Sequence, residues 1–408
     1  MQFWAASAIS STSREVAYLN AASFAPIPRA VRLAGEAGAA VKATPWRIEF
    51  GEAPAERVRA AAAAMIGAAA GDIARAGSIS HAMANAARNL PVAAGSRVIH
   101  LAGEHSSNVL VWEGAAATTG ATVEAVARDT QASWTEAVLG ALARPGAAPL
   151  AVVALSPLHW TDGALVDIDR IATAMRAAGA ALVIDATQAV GAMPVEVARW
   201  RPDFLAFPTY KWLLGSYNLA FLYAAPHRQS GMPVEPNGYN TPDGTPAQGA
   251  RCYDMGERNN LVALPMAEAA FALTAQWGTA QVAARLAWLS EAVAGLGLPV
   301  PDPAGRAGHI LGLRLPGGTP EGLTERLAAT GVHAANRRAC CASVRTSTTT
   351  RRMSRASPPP CGPRSPRADP LRSRRLRLGS RVLPPAAAGG DACLRRERPC
   401  RRWWRSRA

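Results

Sequence analysis

Residues 181–223 read ALVIDATQAVGAMPVEVARWRPDFLAFPTYKWLLGSYNLAFLY. An apolar run ends in Asp185, a second run carries DFLAFPTY to Lys211, and a third, NLAFLY, closes the stretch. Uninterrupted apolar runs of this length read as strands buried on both faces. A carboxylate directly after such a run stands at a strand end, where an open parallel sheet binds its ligands. The chain holds only two lysines, Lys42 and Lys211, and Lys211 sits among Thr209, Tyr210 and Trp212. Taken singly, Asp185 reads equally well as a helix cap and Lys211 as a surface lysine. Their pairing, with Gln188 three residues after Asp185, points to chemistry.

The same rhythm continues upstream. SRVIHLAG, ATVEAVA, LAVVALSPL and AALVIDA read as strands, and SSNVLVWEGAAATTG, SWTEAVLGALA and DIDRIATAMRAAG as the helices between them, the last capped by Asp167 or Asp169. Strands separated by helices of about ten residues or more predict an α/β fold. The expected architecture is a three-layer α/β/α large domain with a mostly parallel sheet, plus a smaller α+β domain that is truncated. The expected boundaries are an N-terminal extension at 1–15, a large domain at 16–240, an interface loop with the start of the small domain at 241–338, and a tail at 339–408. Within 241–338, LVALPMAEAAFALTAQW and TAQVAARLAWLSEAVAGLG read as helices and HILGLRLP as a strand. TPEGLTERLAATG reads as a helix capped by Thr319 and stopped by Gly331.

Composition changes sharply at the tail. The chain has 408 residues, 49% of them hydrophobic, and a formal net charge of +15. Residues 339–408 hold 18 arginines against three acids, which accounts for the whole excess. Five of the six cysteines also lie there, leaving Cys252 alone in the body, so neither a disulfide framework nor a zinc site is indicated. Back-translated with permitted GC-rich codons and read one base earlier, the start of the tail yields GVLRVRPHLYNDETDVARLA, an apolar strand pattern, a turn and a helix start. The favoured reading is therefore a shifted reading frame and a disordered tail; the alternative is a basic arm that binds nucleic acid through phosphate attraction. No apolar run reaches membrane-spanning length, and MQFWAASAIS lacks the features of a secretion signal. A cytoplasmic protein with neither membrane nor nucleic-acid partner is expected.

A lysine amine beside apolar and aromatic groups, with a carboxylate at a neighbouring strand end, suits pyridoxal 5'-phosphate. The amine forms a Schiff base with the aldehyde, and the carboxylate keeps the pyridine nitrogen protonated so that the ring accepts electrons. Here the chain resembles the class V aminotransferases, which are fold type I pyridoxal-phosphate enzymes, in their isopenicillin N epimerase-like and cysteine desulfurase-like branch. The resemblance spans residues 16–338 and is strongest in VIDATQAVGAMPVEV and DFLAFPTYKWLLG. It implies that Lys211 carries the cofactor, Asp185 binds its ring nitrogen and Gln188 donates to its phenolic oxygen. GSISHAMANAARNL resembles the family's phosphate turn, with Ile79 and Ser80 as donors at a helix N-terminus. Ser80 also reads as a plain helix cap. GEHSSNV resembles the segment whose aromatic stacks on the ring, which assigns that role to His105, and Thr209 becomes a phosphate contact.

Two departures stand out. Pro157 replaces a side-chain donor after the strand serine, with His159 as the substitute. In RCYDMGERNN, Glu257 replaces a threonine, leaving Arg258 either to serve a partner subunit's phosphate or to pair with Glu257. The resemblance further implies a homodimer and a small amino-acid substrate, with an aminotransferase or carbon–sulfur lyase reaction. Desulfurase-like or epimerase-like activity, and nucleic-acid binding without catalysis, are the alternatives. The family's substrate-carboxylate arginine falls only in the shifted frame, so the chain as written is expected to be inactive or nearly so.

Overall fold

The computed structural model describes residues 16–337, apart from 49–50, 130–131, 298 and 314. The extension 1–15 and the tail 339–408, with both readings of that tail, lie outside the described residues. Along the chain, β1 (Ala17–Tyr18), α1 (Arg29–Ala40) and α2 (Ala53–Ala64) precede β2 (Ile73–Ala76) and α3 (Ile79–Asn89). Alternation follows: β3 (Arg97–Leu101), α4 (Leu110–Thr119), β4 (Thr122–Val126), α5 (Trp134–Leu142), β5 (Leu150–Leu155), α6 (Ile168–Ala178), β6 (Ala181–Asp185), α7 (Val197–Trp200) and β7 (Phe204–Pro208). Then come β8 (Ala220–Ala224), α8 (Ala263–Trp277), α9 (Thr279–Ala294), α10 (Leu323–Ala329) and β9 (Val332–His333).

Seven strands form one sheet in the order β2–β8–β7–β6–β5–β3–β4. β8 runs antiparallel to both β2 and β7, and the remaining neighbours are parallel. Alternate residues of each strand face opposite ways, which explains why the runs are apolar throughout. Val153, Leu155, Ile184 and Phe207 pack with residues of α2, α5, α6 and α8 on one side. Val152, Ala154, Val183 and Ala206 pack with residues of α3 and α4 on the other. The expected α/β/α layering is therefore present.

Local chemistry sets the ends of the helices. Asp167 caps α6 by accepting the Arg170 N–H at 3.1 Å, and Gly179, at φ 64°, ends it. The cap of α3 is Ser78, which accepts the His81 N–H at 3.1 Å; this corrects the reading of Ser80 as the cap. α1 and α8 meet closely because α1 carries glycine at the contact: a Cβ on Gly35 would lie 2.7 Å from Met266 Sδ.

The C-terminal part departs from expectation at two places. HILGLRLP forms no strand among its described residues. The small sheet of this half, β1 with β9, pairs only Ala17 with Val332 and Tyr18 with His333, and a strand without a pairing neighbour cannot satisfy its backbone. The helix expected from Thr319 begins instead at Leu323, because Gly322 adopts the left-handed conformation at φ 65° and breaks the turn before it.

Three fully buried charges tie the edge strand β2 to α2 and to the loop that carries Asp254. Asp254 accepts from Arg59 Nη2 at 2.6 Å, from the Arg75 backbone N–H at 2.8 Å and from Arg75 Nη2 at 3.2 Å. None of the three side chains is exposed. Burial alone would raise the Asp254 carboxyl, but Arg59 and Arg75 hold it below its ordinary value of 3.8. Asp254→Asn is expected to destabilise the fold by about 3–5 kcal/mol, because two buried guanidinium groups lose their anion. The contribution of Asp254 is present above the ordinary carboxylate value and is lost as pH falls through its lowered folded value. Urea unfolding at pH 7 and along an acid series should therefore show both a lower midpoint and a weaker acid limb in the variant.

Candidate active site

The strand ends that carry Ser156, Asp185 and Lys211 converge on a cavity of about 180 Å³. It is bordered by Ile79, Ser80, Glu104, His105, Asp185, Thr187, Gln188, Tyr210 and Lys211, among others. Ile79, Ser80, His105, Asp185, Gln188 and Lys211 are thus brought together, although they span more than 130 positions of sequence.

Each side chain is set by its own element. Asp185 ends β6, is 3% exposed, and accepts the Thr187 N–H at 2.9 Å. Lys211 projects from a tight turn after β7 in which the Gly215 N–H donates to the Thr209 carbonyl at 2.7 Å. The loop after β6 presses on that turn at Gly191: with φ 93°, a Cβ there would lie 2.8 Å from the Trp212 backbone, so no other residue fits without displacing the lysine turn. Thr209 is fully buried, does not border the cavity, and turns its hydroxyl to the Ser216 carbonyl at 2.6 Å. It shapes the lysine turn and does not take the phosphate contact expected of it.

Ile79 and Ser80 open α3, where first-turn amides lack intrahelical acceptors and favour an anion. Gln188 borders the cavity, with its Nε2 donating to the Ala22 carbonyl at 3.0 Å and its Oε1 accepting from Trp212 Nε1 at 2.9 Å. One N–H of that amide remains for a ligand. His105 receives the Ser107 N–H at Nδ1, 3.3 Å away, with the Ser107 hydroxyl 2.7 Å from the same nitrogen, so the ring proton sits on Nε2. Trp160 meets the imidazole edge-on, with centroids 5.7 Å apart.

The pocket's charges act on one another. Burial, reinforced by Arg337 and opposed by Asp185, lowers the Lys211 amine to about 8. Burial also lowers His105, with Asp185 opposing and Lys211 and Arg337 adding to the shift, so the imidazole is neutral. Tyr210 is pushed up to about 12 by burial, then by Tyr217 and Asp185. Glu104 rises to about 7 through burial and then Asp185.

Several residues escaped the sequence reading. Glu104 directly precedes His105, but nothing in GEHSSNV signals that it is buried. Arg337 donates from Nη1 to the Trp160 carbonyl at 2.9 Å and from Nη2 to Ser23 Oγ at 3.2 Å. Only the tertiary fold brings that charge near Lys211. His159 does not stand in for the donor missing at Pro157: it is buried, stacks on Trp134 at 4.9 Å and spends Nδ1 on Thr161 at 2.7 Å. Arg258 pairs with Glu52 rather than Glu257 and lies over the Tyr239 ring at 3.9 Å.

These residues fit pyridoxal phosphate. A half-buried amine and a buried carboxylate border one cavity, a helix N-terminus opens at its side, and a buried polar atom of its lining, Thr187 Oγ1, lacks a partner among the described residues. The family profile described as aminotransferase class-V matches residues 39–357. An uncharacterized aminotransferase, YcbU of Bacillus subtilis, is 42% identical over 66 residues, 16% of this chain and 18% of that protein. A probable cysteine desulfurase of Chlamydia muridarum is 32% identical over 118 residues, 29% of each chain. The match therefore spans less than a third of either relative. Among solved structures, the cysteine desulfurase CsdA of Escherichia coli superposes with a TM-score of 0.68 at 21% identity, covering 80% of this chain and 85% of that one. The cystine C-S lyase C-DES, solved with its reaction product cysteine persulfide, gives 0.68 at 17% identity, covering 78% and 90%. With the profile matching most of its length, the chain belongs to the class V aminotransferase family of pyridoxal-phosphate enzymes.

Proposed function

We propose that this protein acts on a small amino acid, cleaving a carbon–sulfur bond by elimination or transferring the amino group. The observation that carries the proposal is Lys211, a half-buried amine lowered to about 8 at the edge of the cavity that Asp185 also borders. When bound, pyridoxal phosphate supplies the electron sink that makes a substrate's α-carbon acidic. Asp185 would hold a proton on the ring nitrogen, the first amides of α3 and the Ser80 hydroxyl would hold the phosphate, and the neutral His105 ring would stack on the cofactor. The remaining Gln188 N–H would donate to a ring oxygen. Lys211, about half neutral at pH 8, would take the substrate's α-proton at Nζ and return it. Arg337, anchored by Trp160 and Ser23, adds positive charge near Lys211.

A persulfide relay through Cys252 is disfavoured. Its thiol is buried, faces the Gln229 carbonyl at 3.7 Å and is pushed up to about 11, chiefly by burial. Elimination needs no such cysteine, because the sulfur leaves with the product. We also infer a homodimer. Support comes from the exposed apolar residues Met232, Val234 and Tyr239, clustered in one long loop; light scattering should give twice the chain mass.

Two further outcomes test the proposal. Apoprotein should capture pyridoxal phosphate at a rate that rises about tenfold per pH unit below about 8 and levels off above it, as Lys211 loses its proton. Borohydride should then fix the label on Lys211; label on Lys42, or no capture, refutes the assignment. Cys252→Ala should release sulfide or pyruvate from sulfur amino acids within about twofold of the parent, whereas removing Lys211 should cost at least about a hundredfold. Loss of release in the cysteine variant would instead establish a relay.

A further inference from the structure

His309 opens HILGLRLP, the stretch whose strand-like composition finds no pairing among its described residues. The backbone around it is held instead from two sides. The Ala307 N–H donates to the Gly163 carbonyl at 2.8 Å, and Ser290 Oγ, on α9, donates to the Gly308 carbonyl at 2.8 Å. The imidazole is buried, and its Nε2 lies 2.6 Å from the Gln188 carbonyl oxygen, a contact that spans 121 positions of sequence. A carbonyl only accepts, so Nε2 carries the ring proton and donates it. Burial lowers the imidazole to about 4 against the pull of that carbonyl, so the ring is neutral and has a single N–H to give. The His309 and Trp212 rings also meet edge-to-face, with centroids 4.7 Å apart and planes at 81°.

The two neighbours of His309 are themselves joined. Trp212 follows Lys211 directly, and its Nε1–H donates to Gln188 Oε1 at 2.9 Å. An indole nitrogen is a donor only, so it fixes which end of the Gln188 amide is oxygen. Nε2 then gives one N–H to the Ala22 carbonyl at 3.0 Å and keeps the other. An indole free to swing away would let the amide turn over and offer an acceptor where a donor now stands. We propose that His309 is a positioning residue, which clamps the Gln188 backbone and the Trp212 ring together and so keeps the spare Gln188 N–H, rather than the amide oxygen, available beside Lys211. The inference rests on the reading that this N–H meets a ring oxygen of pyridoxal phosphate. His309 does not border the cavity that Gln188 and Lys211 line, so it acts only through Gln188 and Trp212.

Hydrogen exchange on the full chain without cofactor, and absorption with it, provide the test. In the apoprotein at neutral pH, nitrogen NMR with labelled histidine should show a neutral His309 ring protonated at Nε2; a proton on Nδ1 overturns the proposal whatever the variants do. His309→Phe keeps a ring beside Trp212 but removes the donor. It should speed exchange of the Trp212 indole N–H by about tenfold relative to the amides of β5, the worth of about one net hydrogen bond. His309→Gln, which keeps an N–H at similar reach, should return that exchange to within about threefold of wild type. General destabilisation would instead speed the indole and the β5 amides alike. Equal acceleration of the two, an unchanged indole in His309→Phe, or a His309→Gln that matches His309→Phe overturns the proposal. With pyridoxal phosphate bound, His309→Phe and Gln188→Ala should move the visible absorption maximum in the same direction, and the double variant no further than the larger single shift. Additive shifts would show that the two residues act separately, and the clamp would fail. A Gln188→Ala spectrum identical to wild type would instead refute the placing of Gln188 at the ring oxygen, a failure that the apoprotein measurements tell apart from failure of the clamp.

Discussion

Two arginines that solvent never reaches, Arg59 and Arg75, share the carboxylate of Asp254, and the cavity depends on that match. Arg75 belongs to β2, whose far edge pairs with no further strand. On that side its backbone is instead held by Asp254 and by the Met255 N–H, which donates to the Arg75 carbonyl at 2.9 Å. β2 ends at Ala76, and α3 begins three residues later with Ile79 and Ser80 at the cavity. A buried charge cluster therefore sets where the anion-favouring helix N-terminus points. Its tolerance for error is small, since removing one partner leaves a desolvated charge.

Within the cavity, burial and a few charges sort groups of like kind into different states. Lys211 is made a weaker base by burial and by Arg337, and Asp185 limits how far the shift goes. Two carboxyls border the same space, and each has one oxygen met by a backbone amide, Asp185 by Thr187 and Glu104 by His105.

The shared fold leaves the reaction open, because desulfurase and C-S lyase structures both superpose on this chain. Side chains narrow it. Cys252, the only cysteine among the described residues, is buried and held against a carbonyl, which argues against its acting as a sulfur carrier.

The parallel sheet, Asp185, Gln188 and Lys211 were legible in the linear sequence because period, strand-end placement and the rarity of lysine are local properties. Asp167 as a cap was legible for the same reason. What local pattern could not reach depended on neighbours distant in sequence. HILGLRLP has the composition of a strand but no paired neighbour among the described residues, and composition cannot supply a hydrogen-bond partner. Thr209 looked like a ligand because it precedes the lysine, yet its hydroxyl is claimed by carbonyls seven and ten residues on. Glu104 and Arg337 look like ordinary charged residues, and the fold alone buries one beside Asp185 and brings the other to Lys211. Sequence determined which groups the chain possesses and which backbone elements carry them. Tertiary structure decided their protonation, because desolvation and Coulomb interaction depend on distances through space rather than along the chain.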